Sequence, residues 1–177
     1  NGVTNRAGLS NASCVANPAA FTNGAGNISG AATLTNSVTN QCLVVTNVQP
    51  SVAKTFGAAS ITDGSATTLV FTLSNTGTNP AQGGITVGDT LPAGLTINSA
   101  TPAVAYSAGC SGPATAAYNG GTKVLSGLTG LSMANGTASC TVTVSGLTNS
   151  AGQTGTCPQA AQTNLATSVT TTGATST

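Results

Sequence analysis

The sequence predicts an all-β protein, an antiparallel β-sandwich preceded by an N-terminal β extension. Three observations carry that expectation. Thr and Val, which suit a pleated half-buried surface, are abundant, with 33 Thr in 177 residues. Gly, Asn and Pro interrupt the chain about every 8–12 residues, the spacing of short strands joined by turns. Between these interruptions apolar and polar residues alternate with period two, and no stretch sustains a helical period.

The elements follow from that pattern. Residues 1–49 hold one Arg and no acid. They read either as a loose extension or as one or two strands, near Ala31–Val38 and Gln41–Val48, that pair with the main domain or with a neighbour. Pro50 is the expected boundary, with the sandwich occupying 50–177. Val52–Phe56 is the first strand of the main domain. Thr67–Ser74 is the clearest, with Leu69, Phe71 and Leu73 alternating with Thr68, Val70 and Thr72. The turn Asn75–Pro80 ends it. Ile85–Leu91 follows, then Pro92-Ala93-Gly94 and Leu95–Asn98. Tyr106 and Tyr118 flank a Gly/Pro/Cys loop. A short strand begins at Lys123–Leu125 after the turn Asn119-Gly120-Gly121. Cys140, Val142 and Val144 mark the next strand, and Leu165–Thr172 the last.

Charge is nearly absent. Arg6, Lys54, Lys123, Asp63 and Asp89 are the five charged residues, with no Glu and no His, where an ordinary domain of this length carries roughly 44. That count excludes much. There is no basic cluster to grip a phosphate backbone, so nucleic acid is not an expected partner. No His and two acids make zinc, iron or calcium sites improbable, and no cofactor is expected. Ser-His-Asp and two-carboxylate catalysis lack their parts, so the chain does not read as a turnover enzyme. No apolar run reaches the length of a membrane span. The start at Asn1 reads as a mature or excised piece.

Five cysteines, Cys14, Cys42, Cys110, Cys140 and Cys157, form no C-x-x-C pair, which disfavours metal and thioredoxin readings. In so neutral a chain they point to an oxidising, extracellular or cell-surface setting with two disulfides and one odd thiol. Sequons stand at Asn11, Asn27 and Asn135. Asp63-Gly64 reads as a turn, and neither Lys123 nor Arg6 has a visible partner.

With so few charges, each position is informative. Alternation puts Val52, Lys54 and Phe56 on one face and Ile85, Val87, Asp89 and Leu91 on another. An amine and a carboxyl therefore each occupy an expected apolar position. An unpaired buried charge costs several kcal/mol, so the two should meet. Two readings stand: a buried Lys54–Asp89 ion pair, or an intramolecular isopeptide bond. In the second, burial disfavours charge, leaving a neutral nucleophilic amine and a protonated carboxyl. The amine attacks an Asn carboxamide, the carboxyl hydrogen-bonds its carbonyl and shuttles protons, and ammonia leaves.

Ser51–Phe56, Leu69–Gly77, Asp89-Thr90-Leu91-Pro92-Ala93-Gly94-Leu95, Gly136–Val144 and Thr163-Asn164-Leu165-Ala166 occur in this order. Together, over roughly residues 50–172, they resemble the repeated surface domain of bacterial and archaeal adhesins. The resemblance implies an immunoglobulin-like sandwich, tandem display on cell surfaces and, in some members, a Lys–Asn isopeptide bond assisted by Asp. Carried over by position, those residues are Lys54, Asn164 and Asp89. It also implies the disulfide Cys110–Cys140. Cys14–Cys42 follows only from proximity, with Cys42–Cys157 as its rival. One departure stands out: Asn164 shares parity with Ala166 and Ser168, whereas Leu165 and Val169 share the other face. A bulge would turn Asn164 inward; without one, Asn36 or Asn40 become the rival partners.

The expected function is a structural subunit of an extracellular bacterial filament. Copies would join head to tail by β-strand complementation, since Thr170–Thr177 and Asn1–Asn5 look as if they could follow one another. The alternative is an adhesin stalk repeat, or a module binding a glycan or host surface, for which Tyr106 and Tyr118 are the candidate surface aromatics.

Overall fold

In the computed structural model the described residues are 22–23, 29, 41–42, 49–77, 80–150 and 161–176. The chain divides into two compact units, Asn1–Asn47 and Val48–Thr177. In the first, β1 (Thr22–Asn23) and β2 (Gln41–Cys42) form an antiparallel pair. The expected strand at Ala31–Val38 lies outside the described residues.

The second unit is an all-β sandwich. Its strands are β3 (Ser51–Phe56), β4 (Thr67–Ser74), β5 (Gln82–Thr90), β6 (Leu95–Ile97), β7 (Val104–Tyr106), β8 (Cys110–Ser111), β9 (Ala117–Asn119), β10 (Val124–Met133), β11 (Ser139–Asn149), β12 (Val169–Thr172) and β13 (Thr175–Ser176). One sheet runs β12-β5-β10-β8, with β9 also on β10; the other runs β13-β3-β4-β11-β6, with β7 also on β11. All pairings are antiparallel except β13 with β3. Leu69, Phe71 and Leu73 of β4, Val142 and Val144 of β11, and Ile85 and Val87 of β5 are buried together. These are the inward members of each alternating set, as period two requires.

The longest departure from the expected elements is β10. The sequence suggests a short strand starting at Lys123, but the strand runs ten residues from Val124 to Met133. Leu125, Leu128 and Leu131 are all fully buried although they recur every third residue. Two bulges reconcile that spacing with one face, because each extra residue resets the alternation. Two of the three register shifts fall between Leu125 and Leu128 and between Leu128 and Leu131, where Gly127 and Gly130 adopt φ of 80° and 67°; the third lies between Leu131 and Met133. Only Gly enters that region without a Cβ penalty.

At the C-terminus the expected strand from Leu165 is shorter. A single 3-10 turn, Ala166–Ser168, precedes β12. After Gly173 (φ 74°) the chain leaves the first sheet, and Thr175 and Ser176 pair in parallel with Ser51 and Val52 of the same chain.

Candidate functional site

Lys54 and Asp89 come from different sheets. Lys54 stands opposite Phe71 on β3–β4. Asp89 lies on β5 between Leu125 of β10 and Val169 of β12 in the ladder. Its side chain is 0% exposed and that of Lys54 7%, and Asp89 is the one buried charged residue among those described. The parity argument thus locates both side chains correctly. Lys54 Nζ donates to Asp89 Oδ1 at 2.7 Å.

Asn164 joins them. Lys54 Nζ also donates to Asn164 Oδ1 at 2.7 Å, and Asn164 Nδ2 donates to Asp89 Oδ2 at 2.5 Å. The parity objection to Asn164 is resolved by the 3-10 turn rather than by a bulge. The turn interrupts the alternation before Val169, and Asn164 and Ser168 both reach the Lys54 amine, while Leu165 is 61% exposed. Asn36 and Asn40, the rival partners, lie outside the described residues.

The hydrogen-bond assignment differs from the expected one in a single respect. Asp89 accepts from the carboxamide nitrogen, not towards the carbonyl oxygen. That oxygen instead receives Lys54 Nζ and the hydroxyl of Ser168, whose Oγ lies 2.8 Å away. Ser168 is the member of the cluster that the sequence reading missed. It also accepts from Lys54 Nζ at 2.5 Å and stands 2.6 Å from Asp89 Oδ1. The available signal was the parity that Ser168 shares with Asn164. Gly88 lets the segment approach: a Cβ there would fall 2.7 Å from Thr170 Oγ1 and 3.1 Å from the Leu125 carbonyl oxygen.

A disulfide joins Cys110 of β8 to Cys140 of β11, and so crosses between the sheets, with a Cα–Cα separation of 5.7 Å. Cys14 and Cys157, and the side chain of Cys42, lie outside what is described. Of the two candidate surface aromatics, one is core. Tyr118 is buried in the core, with its hydroxyl 3.2 Å from Thr96 Oγ1. Tyr106 is half-buried and donates to the Pro113 carbonyl at 2.6 Å, and burial raises its phenol above the ordinary value. Lys123 does have a partner, donating to Ser150 Oγ at 2.9 Å. Asp63 lies in an exposed turn, where it accepts a hydrogen bond from Asn149 Nδ2. Among the described residues no group of acids, Cys or His is arranged to hold a metal ion, and no helix is long and apolar enough to cross a membrane.

Residues 50–177 match the model of a domain of unknown function, DUF7933. The chain belongs to this family. The match begins at Pro50 and so takes in every residue of the Lys54 cluster and the inter-sheet disulfide, which places both within the DUF7933 domain. No curated protein matches the chain.

Proposed function

We propose that this DUF7933 chain is a structural subunit of an extracellular bacterial filament, its sandwich locked by a Lys54–Asn164 isopeptide bond and by the Cys110–Cys140 disulfide. The observation that carries this reading is the buried contact of amine, carboxamide and carboxyl, with Nζ 2.7 Å from both Asp89 Oδ1 and Asn164 Oδ1. An ion pair alone needs no carboxamide. A carboxyl spanning the amine on one oxygen and the departing nitrogen on the other can take a proton from the first and deliver one to the second. The Nζ–Cγ bond forms, the Cγ–Nδ2 bond breaks, and ammonia carries away the nitrogen of Asn164. The crosslink is made once, so the domain is a substrate of its own chemistry and not a turnover enzyme.

Assembly through copies of itself is supported by the near-neutral chain and by its sheet edges. A net charge of +1 opposes self-association weakly. Among the described residues β12 pairs only with β5, and β13 covers only Ser51 and Val52 of β3. A strand from a neighbour's residues 1–49 or from its C-terminus would extend either ladder. The resemblance to immunoglobulin-like adhesin repeats fits the same setting, and an adhesin stalk uses the same crosslinks. A glycan-binding role is weakened by the inward packing of Tyr118.

Two measurements test the proposal. Intact mass under non-reducing conditions should be lower by one ammonia than the mass with disulfides alone, and an unshifted mass removes the isopeptide bond. Electron microscopy of native material should show regular filaments, whereas discrete monomers would remove the filament.

A further inference from the structure

We propose that Ser168 is a catalytic residue of the crosslinking step, the hydrogen-bond donor that stabilises negative charge on Asn164 Oδ1 as Lys54 attacks. This rests on the isopeptide reading above. The carboxamide's orientation sets the roles. Its nitrogen faces Asp89 Oδ2 at 2.5 Å, so the carboxyl serves the leaving group and is not aimed at the carbonyl oxygen. The attacking amine cannot remain the donor to that oxygen, because once Nζ bonds Cγ the two atoms share a carbon and no N–H of Nζ can align with Oδ1. The remaining donor in reach is the Ser168 hydroxyl, 2.8 Å from Oδ1.

The hydroxyl carries one hydrogen and has three acceptors nearby: Asp89 Oδ1 at 2.6 Å, Asn164 Oδ1 at 2.8 Å and the Leu165 carbonyl at 2.8 Å. While Asp89 is ionised, its carboxylate is the strongest of these. Once Lys54 has passed a proton to Asp89 Oδ1, that site no longer needs the hydrogen, and the hydroxyl is free to turn to Oδ1 of Asn164. Proton transfer and carbonyl polarisation are thereby linked through a single side chain. Attack forms Nζ–Cγ and places negative charge on Oδ1, which the Ser168 hydrogen bond stabilises. The carboxyl delivers its proton to Nδ2 and takes the second proton of Nζ, Cγ–Nδ2 breaks, and the carbonyl re-forms with release of ammonia, leaving Asp89 protonated. Removing one donor of this kind from an acyl-transfer site costs about 10²–10³ in rate.

The test compares Ser168→Thr with Ser168→Val, two side chains of the same shape of which only Thr keeps a hydroxyl. The full chain is made by cell-free synthesis, and the loss of ammonia is followed by intact mass over time. Folding is followed in the same samples by the disappearance of the Cys110 and Cys140 thiols. Ser168→Thr should close at a rate near that of the parent, and Ser168→Val should close about 10²–10³-fold more slowly while its disulfide forms normally. Equal closure rates for folded Thr and Val variants would overturn the role of Ser168. A parent chain that never loses ammonia would instead overturn the isopeptide reading itself.

Discussion

Two ties cross between the sheets of this sandwich, and they sit at opposite ends of β10. Asp89 is in register with Leu125, and Cys110 with Met133. At the Met133 end a disulfide closes a segment of sequence separation 30. At the Leu125 end a polar cluster joins positions 110 apart. The disulfide needs an oxidant and can be undone by a reductant. The Lys54 cluster carries every atom of its own reaction, and an amide once made there survives reduction. Chain entropy favours the longer loop: about 3.5 kcal/mol for the disulfide, against about 4.7 kcal/mol for the proposed Lys54–Asn164 amide.

The largest way to break this comparison is Lys54→Met. It strands a buried carboxyl, at about 3–5 kcal/mol, and it removes the proposed amide, which would contribute about 4.7 kcal/mol more. Denaturant unfolding of Lys54→Met against Lys54→Met/Asp89→Leu separates the two. The double variant should recover the first share and not the second, and full recovery would mean that no crosslink contributes.

Next in size is the other tie. Reducing Cys110–Cys140, or replacing both residues by Ala, should lower unfolding free energy by about 3.5 kcal/mol. The reduced protein should still migrate as a compact, crosslinked species in denaturing gels. Migration of the reduced protein as a linear chain would place all the covalent constraint at the disulfide.

Gly88→Val probes the Leu125 end without touching a reacting group. Its side chain would press on Thr170 and on the Leu125 carbonyl, costing about 1–3 kcal/mol. It should also slow crosslinking by moving β12, and with it Asn164 and Ser168, away from Asp89. Intact mass and thermal unfolding read the two effects separately.

The smallest expected effect is at alkaline pH and belongs to the disulfide end, where Tyr106 pairs with Val142 and its ring abuts Gly112. Burial raises its phenol in the folded state. The folded protein therefore holds that proton more tightly than the unfolded chain. The contribution is fully present below the ordinary phenol value of about 10 and is lost as pH rises through the higher folded value. Unfolding curves between pH 8 and 12 should show this decline, and Tyr106→Phe should flatten it.

Much of this was legible from the chain alone. Leu69, Phe71 and Leu73 declare β4 by strict alternation, and the same rule placed Lys54 and Asp89 on inward faces. It succeeded because burying a lone charge is costly enough that two misplaced charges imply each other. The rule failed where alternation is interrupted. Leu125, Leu128 and Leu131 do not alternate, so period two predicts only a fragment of β10; the glycines between them explain the spacing once the bulges are in place. Asn164 looked outward for the same reason, since one 3-10 turn cancels the parity of the residues that follow.

By itself the sequence determined the fold class, the scarcity of charge and the pairing of its only inward amine with its only inward carboxyl, because those follow from periodicity and solvation, which act locally along the chain. The tertiary structure alone decided that Asn164 faces inward, that Ser168 completes the cluster and that Tyr118 is core. These depend on where a turn ends and how closely β12 approaches β5 at Gly88, and such distances are set by packing between segments remote in sequence.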